Sequence, residues 1–290
     1  MSRAAVALVV CLLTLAGCAE TGSIPTTAAT GAVEQIPIEV QKPNGPGPFP
    51  AIVVVHDCSG LSTTSSGAPG RWARELVGRG YVAVIPDSFT TRGFPNGVCT
   101  DARPGRNDVS PAHRTRDAYA ALAHARSLPY VAGTRVGLMG GSHGGSTTLA
   151  SMLAPDGDAA PLAQEKRAGF AAAVALYPSC APGPRTWRSA SGVYRPVAPL
   201  LILVGEKDDW TPAAPCQALT DAAQRAGYPV SIKVYPGAHH SFDSPAPVRY
   251  VAARINANAP GGRGATTGGD PQAWADAIRE VVAFFGQRLK

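Results

Sequence analysis

Residues 135–145, Arg-Val-Gly-Leu-Met-Gly-Gly-Ser-His-Gly-Gly, place a serine between glycines directly after a short apolar run. A Gly-x-Ser-x-Gly turn between a strand and a helix lifts a serine hydroxyl above a sheet edge, with the positive end of the following helix beneath it. Ser142 is therefore the candidate nucleophile. Gly140 and Gly144 lack the Cβ atoms that so sharp a turn cannot accommodate. The motif alone is weak: a chain with 32 glycines in 290 residues yields it by chance roughly 0.2 times. Its context is stronger, because Arg135–Met139 reads as a strand and residues 146–153 read as a helix that stops before Pro155.

A serine nucleophile needs a histidine to take its proton and a carboxylate to orient that histidine, and on a strand–elbow–helix the order along the chain is Ser, Asp or Glu, His. The buried-strand pattern Pro199–Val204 leads into an acidic turn holding Glu206, Asp208 and Asp209. The next strand, Val230–Tyr235, leads into a turn holding His239 and His240. All three turns fall at the same sheet edge, where open α/β sheets bind ligands. The residues themselves leave Asp208 against Asp209, and His239 against His240, open. The backbone N–H of His143, next after the nucleophile, is one expected oxyanion donor. His56, His113 and His124 read as loop-anchoring, packing or surface residues.

At these turns the chain resembles the dienelactone hydrolase-like α/β-hydrolases. The Gly-x-x-Asp-x-x-Thr-Pro and Ala-x-His-Ser-Phe motifs match the family's acid and histidine positions at Asp208 and His240, and the likeness covers nearly all of the chain beyond residue 33. The resemblance implies an α/β-hydrolase fold, a mostly parallel central sheet with helices on both faces. It also implies a Ser142–His240–Asp208 triad and a second oxyanion donor at the Cys58 N–H, in the loop after the early strand Pro50–Val55. Two departures bear on substrate. The founding members use cysteine where this chain has Ser142, and serine suits ordinary carboxylic esters. They also hold a substrate carboxylate with arginines, one of them just after the histidine motif, where this chain has Asp243 and Ser244. Arg92 and Asp57 are the remaining candidates for substrate contact, and Arg92 has a second reading as a brace against Asp87 or Asp101.

The first residues have a basic start, a short apolar core and small residues before a cysteine, which reads as an export signal. Leu15-Ala-Gly-Cys18 resembles the lipobox of bacterial lipoproteins. That resemblance implies removal of residues 1–17, lipidation of Cys18 and, with Ala19 following it, outer-membrane anchoring facing the periplasm. Residues 18–32, rich in Thr, Ala and Gly, then read as a flexible tether, and residues 33–290 as the single catalytic domain. Four cysteines remain: Cys58, Cys99, Cys180 and Cys216. An even number in an exported domain suggests two disulfides with three possible connectivities. The sequence alone does not choose. Pairing neighbouring strand-end loops gives Cys58–Cys99 and Cys180–Cys216.

Apolar runs at 36–40, 50–55, 81–85, 135–139, 171–177, 199–204 and 230–235 alternate with helical patterns at 70–79, 111–128, 144–154, 213–226 and 271–288. Residues 256–269, rich in Gly and Ala, read as a mobile loop at the mouth of the site or as a disordered insertion. Residues 63–70 and 179–195 are further candidates to cap it. The net charge of +6 is scattered without basic runs, so no nucleic-acid surface is expected. Neither a cofactor motif nor metal-ligand spacing is present, and the triad chemistry needs neither. The expected activity is cleavage of small carboxylic esters or lactones. The alternatives are a peptidase or acyltransferase using the same triad, or a binding lipoprotein that keeps the fold without turnover.

Overall fold

Runs such as Pro50–Val55 are apolar on both sides of the strand, and such strands are stable where helices cover both faces of a sheet. The computed structural model describes residues 19–28, 30–103, 105–156, 162–181 and 192–290. Its strands are β1 (Ala19–Thr27), β2 (Val33–Gln41), β3 (Phe49–Val55), β4 (Val82–Pro86), β5 (Val131–Gly141), β6 (Ala173–Leu176), β7 (Leu200–Gly205) and β8 (Val230–Tyr235). They form one sheet in the order β1-β2-β4-β3-β5-β6-β7-β8. From β4 to β8 every pairing is parallel, while β2 runs antiparallel to both β1 and β4.

The helices are α1 (Ala68–Val77), α2 (Pro111–Ser127), α3 (His143–Met152), α4 (Ala163–Arg167), α5 (Ala213–Arg225) and α6 (Pro271–Leu289). Alternate residues of each strand feed two cores. Val53 and Val55 join Ala118, Leu122, Leu149 and Leu219 from α2, α3 and α5. Ile52 and Val54 join Trp72 and Leu76 of α1 and Val281, Phe285 and Leu289 of α6. Full burial of one such aromatic or leucine side chain contributes about 2–3 kcal/mol. Two helix starts are capped as their sequences suggest: Ser110 accepts from His113 N, and Asp270 from Gln272 N and Ala273 N. The architecture is the α/β-hydrolase arrangement expected.

Two segments differ from expectation. Ala19–Thr27, read as part of a tether, is an edge strand paired residue for residue with β2. Ile24 is buried and Thr26 Oγ1 donates to the buried Asp117 at 3.0 Å, so two anchors on one side of the strand hold it down. Residues 1–18, with the export signal and Cys18, lie outside the described residues. Residues 256–269 are not a loose loop either, because they complete an antiparallel hairpin of β9 (Arg249–Ile255) and β10 (Arg263–Thr267). The buried Asn256 amide binds Gly264 O at 2.7 Å and Asp209 O at 3.0 Å, which closes the turn and docks it. Of the capping segment 179–195, residues 182–191 lie outside the described residues. The cysteines pair as Cys58–Cys99 and Cys180–Cys216.

Candidate active site

The site is built at the C-terminal ends of the parallel strands. Ser142 follows β5 with φ 55° and ψ −118°, outside the regions ordinary residues favour, and is held there by its N–H to Leu176 O at 2.9 Å and by Ser146 N to its own carbonyl at 2.8 Å. The glycines around it are required by space. A Cβ on Gly140 would sit 2.6 Å from Gly144 C and Val55 Cγ2, and one on Gly144 would sit 2.3 Å from Val55 O. α3 therefore starts in direct contact with the end of β3, and its N-cap has no side-chain acceptor, which leaves first-turn N–H groups facing the site.

His240 and Asp208 converge on this serine. Ser142 Oγ lies 2.8 Å from His240 Nε2, and His240 Nδ1 lies 2.7 Å from Asp208 Oδ2. A carboxylate only accepts, so the Asp208 contact puts the imidazole proton on Nδ1 and leaves Nε2 free to accept from the serine hydroxyl. Asp208 is itself fixed: Trp210 N and Thr211 N donate to its Oδ1 at 2.9 and 2.8 Å, and Thr211 Oγ1 donates to its Oδ2 at 2.9 Å. The competing acids are occupied elsewhere. Asp209 accepts from Thr266 N and Thr266 Oγ1 of the hairpin, Glu206 accepts from Gly237 N, and His239 makes no contact with the serine. The hairpin also pairs Thr267 with His240, so one element braces the acid and histidine turns together.

On the other side of Ser142, Cys58 and His143 line a cavity of about 190 Å³. Arg114 on α2 ties their segments together. It is fully buried, donates from Nη1 to His143 Nδ1 at 2.7 Å and from Nη2 to His56 O at 2.8 Å, and lies over the Phe89 ring at 4.9 Å. Burial pulls its guanidinium down to about 10. Burial, and then Arg114 beside them, hold the His56 and His143 imidazoles well below their ordinary range. His56 anchors its loop, with Nδ1 donating to Asp57 O at 2.8 Å and Nε2 accepting from Ser88 N at 3.1 Å. His113 and His124 are half-buried on α2.

Arg92 and Asp57 are not positioned as the sequence reading offered them. Arg92 donates to Asp117 Oδ2 at 2.6 Å, to Ser88 O at 2.9 Å and to Glu34, so it braces β2, α2 and the loop after β4, through partners other than Asp87 or Asp101. Its guanidinium has no face left for a ligand. Asp57 borders the site, but its carboxylate is spent on Ser59 N at 2.7 Å, Ser59 Oγ and Ser66 Oγ, which shape the loop after β3. Asp243, after the histidine motif, is buried and accepts from Tyr177 OH at 2.8 Å and Trp72 Nε1 at 2.9 Å, and burial raises its carboxyl above the ordinary value. A second cavity, of about 270 Å³, opens on the histidine side and is lined by Asp57, His240, Arg249 and Arg254. Sequence reasoning missed Arg114, Trp210 and Arg254. Trp210 alone carried a signal, since it lies inside the acid motif.

Comparison with known proteins identifies the family. The dienelactone hydrolase family pattern matches residues 37–289. A Synechocystis sp. protein provisionally named a carboxymethylenebutenolidase is 26% identical over 281 residues, covering 93% of this chain and 100% of the relative. The crystal structure of a dienelactone hydrolase-like promiscuous phosphotriesterase from metagenomic libraries superposes with a TM-score of 0.66 at 21% identity, over 94% of this chain and 100% of that one. Thermogutta terrifontis esterase 2, phosphorylated by paraoxon, gives 0.63 at 19% identity, over 93% and 94%. At these identities the two structures speak for the fold, and the family pattern speaks for the chemistry: the chain belongs to the dienelactone hydrolase family and is a hydrolase acting on ester bonds.

Proposed function

We propose that the chain cleaves carboxylic esters or lactones of small substrates by an acyl-enzyme mechanism on Ser142. The observation that carries this reading is the pair of contacts through one imidazole, 2.8 Å from His240 Nε2 to Ser142 Oγ and 2.7 Å from Nδ1 to Asp208. Ser142 Oγ attacks the carbonyl carbon while Nε2 takes its proton. The Cys58 and His143 N–H groups receive the developing oxyanion, and a donor of this kind contributes about 3 kcal/mol to the transition state. The imidazolium, stabilised by Asp208, then protonates the departing alcohol oxygen. Water enters by the reverse steps, releases the acid and restores Ser142.

Cellular placement belongs to the same proposal: residues 1–17 direct export and are removed, Cys18 carries the lipid, and the enzyme faces the periplasm from the envelope. The two disulfides suit an oxidising compartment. The direct test of the chemistry is peptide mass spectrometry after exposure to a fluorophosphonate, which reacts with activated serines. A single adduct on Ser142 that is lost in His240→Ala supports the reading. A folded, disulfide-bonded protein that takes no adduct refutes it, and leaves a binding protein on a hydrolase scaffold.

A further inference from the structure

His143 gives the reaction a backbone N–H, but the proposed chemistry makes no use of its side chain. The half-buried ring is fixed on two sides. Phe89 meets it edge to face, with 5.7 Å between ring centroids, and Arg114 Nη1 donates to its Nδ1 at 2.7 Å. A guanidinium donates and never accepts, so Nδ1 carries the lone pair and the single proton of the neutral ring lies on Nε2. Burial and Arg114 both oppose a second proton, which keeps the ring in this one form. The Nε2 donor has no partner among the described residues, and it is not sealed in the interior as the unpartnered ring nitrogens of His113 and His239 are. The ring borders the cavity of about 190 Å³ beside Ser142. Other polar groups there serve the fold: Ser110 caps α2, Ser146 Oγ donates to Ser142 O at 3.2 Å and accepts from Ser179 N at 2.9 Å, and Thr211 Oγ1 donates to Asp208. Arg106 also has partners in the chain. His143 thus presents a fixed, unpaired donor in the cavity wall.

The direction of proton transfer says which part of an ester meets this donor. In forming the acyl-enzyme, the bond from the carbonyl carbon to the alcohol oxygen breaks, and His240 Nε2 delivers to that oxygen the proton it took from Ser142. The alcohol therefore departs on the side of His240, which lines the larger cavity and not the smaller one. The acyl group stays on Ser142 and faces the smaller cavity, with His143 in its wall. A purely hydrocarbon acyl chain there would displace water from Nε2 and offer no acceptor in return. Building on the ester hydrolase reading above, we infer that the His143 side chain selects substrates whose acyl group carries a hydrogen-bond acceptor oxygen, an ether, hydroxyl or carbonyl close to the ester carbonyl, and binds that oxygen through Nε2.

Isosteric esters test this on the full chain: phenyl methoxyacetate against phenyl butyrate, and phenyl 3-methoxypropanoate against phenyl pentanoate, in which an oxygen replaces a methylene. Each kcat/KM is divided by the alkaline hydrolysis rate of the same ester, so the inductive effect of the oxygen cancels. The corrected ratio is expected to favour the ether about fivefold in at least one pair, the scale of one neutral hydrogen bond. His143→Leu brings that ratio to about one. His143→Gln restores part of it, because the glutamine amide accepts from Arg114 and donates into the cavity, an order that lost packing alone would not follow. A third pair, 2-methoxyethyl acetate against butyl acetate, carries the oxygen on the alcohol, and its ratio stays unmoved in both variants. Because each ratio is read within one protein, a general loss of rate from a disturbed elbow does not enter it. Corrected ratios at or below one in both acyl pairs, a preference that survives in His143→Leu, or a change confined to the alcohol pair overturns the inference. Fluorophosphonate labelling of Ser142 keeps the two readings apart. A labelled serine with flat ratios defeats this inference alone, and an unlabelled one defeats the parent reading with it.

Discussion

Replacing Arg114 by methionine sets three magnitudes against one another. The lost contacts are the bond to His143 Nδ1 at 2.7 Å and the bond to His56 O at 2.8 Å. Each leaves a buried acceptor without its donor, at about 1.5–3 kcal/mol. Against this stands the buried charge itself: a guanidinium brought from 12.5 to about 10 by burial carries about 3 kcal/mol of desolvation that the variant relieves. Methionine is flexible and fills much of the vacated space. The expected net loss of stability is then at most about 3 kcal/mol, a drop in Tm of up to about 6 °C for a domain of this size. Activity should suffer more than stability. Arg114 is a positioning residue that fixes the elbow and the loop after β3 to each other, and those segments carry the two proposed oxyanion donors. Misalignment of one donor removes part of about 3 kcal/mol of transition-state stabilisation, so kcat should fall about tenfold to a hundredfold with little change in KM. Steady-state hydrolysis of phenyl acetate, beside thermal unfolding, checks both numbers. A kcat within twofold of the parent, in a variant with lowered Tm, would refute the clamp and leave Arg114 a packing residue.

Other consequences are equally open to measurement. Asp208→Asn presents an amide N–H to His240 Nδ1 and moves the imidazole proton to Nε2, which then cannot accept from Ser142, so kcat should drop about 10⁴-fold with folding intact; a drop of less than tenfold speaks against the Asp208 assignment. Opening Cys58–Cys99 by paired alanine substitution frees a span of 41 residues and should lower stability by up to about 4 kcal/mol on the chain-entropy account, read from urea unfolding; an unchanged midpoint would show that the hydrogen bonds of those loops suffice. Because His56 and His143 are held neutral well below their ordinary range, the unfolded chain takes up protons below pH 6.5 that the folded chain refuses. Their contribution to stability is complete above pH 6.5 and is lost as pH falls below it. Urea midpoints should therefore fall steeply between pH 7 and 5, less so in His143→Gln, and equal slopes in the two proteins would contradict that origin.

The parts of the site legible in the sequence were those encoded locally. Gly140 and Gly144 announce a close approach of backbones, and the apolar runs on either side announce β5 and the helix after it, so the position of Ser142 needed no distant information. Asp208 and His240 were separated from their neighbours by family motifs, not by residue type. The structure gives the physical difference: Asp209 is consumed by Thr266, a contact 57 residues away along the chain. Arg114 looked like one more basic residue on a helix, because burial by β3, the elbow and Phe89 is a tertiary fact. For Arg92 the choice between substrate contact and brace stayed open for the same reason, and its bracing partners were not Asp87 or Asp101 but Glu34 and Asp117, 58 and 25 residues away. The hairpin hid behind its glycines, whose composition matches a loose loop equally well. For β1 a faint period-two signal existed in Ile24 and Thr26, masked by the small polar residues around them.

That first strand also determines how the enzyme would stand on a surface. β1 runs in the same direction as β3 to β8, since it is antiparallel to β2, which is antiparallel to β4. Ala19 therefore sits at the edge of the sheet opposite Ser142, His240 and Asp208. If Cys18 carried the proposed lipid, the fold would begin one residue from the anchor, and the nine residues of β1 would span about 30 Å between that end and the mouth. The mouth would open outward, away from the acyl chains, so its esters would arrive dissolved in the surrounding water and not from the membrane beneath.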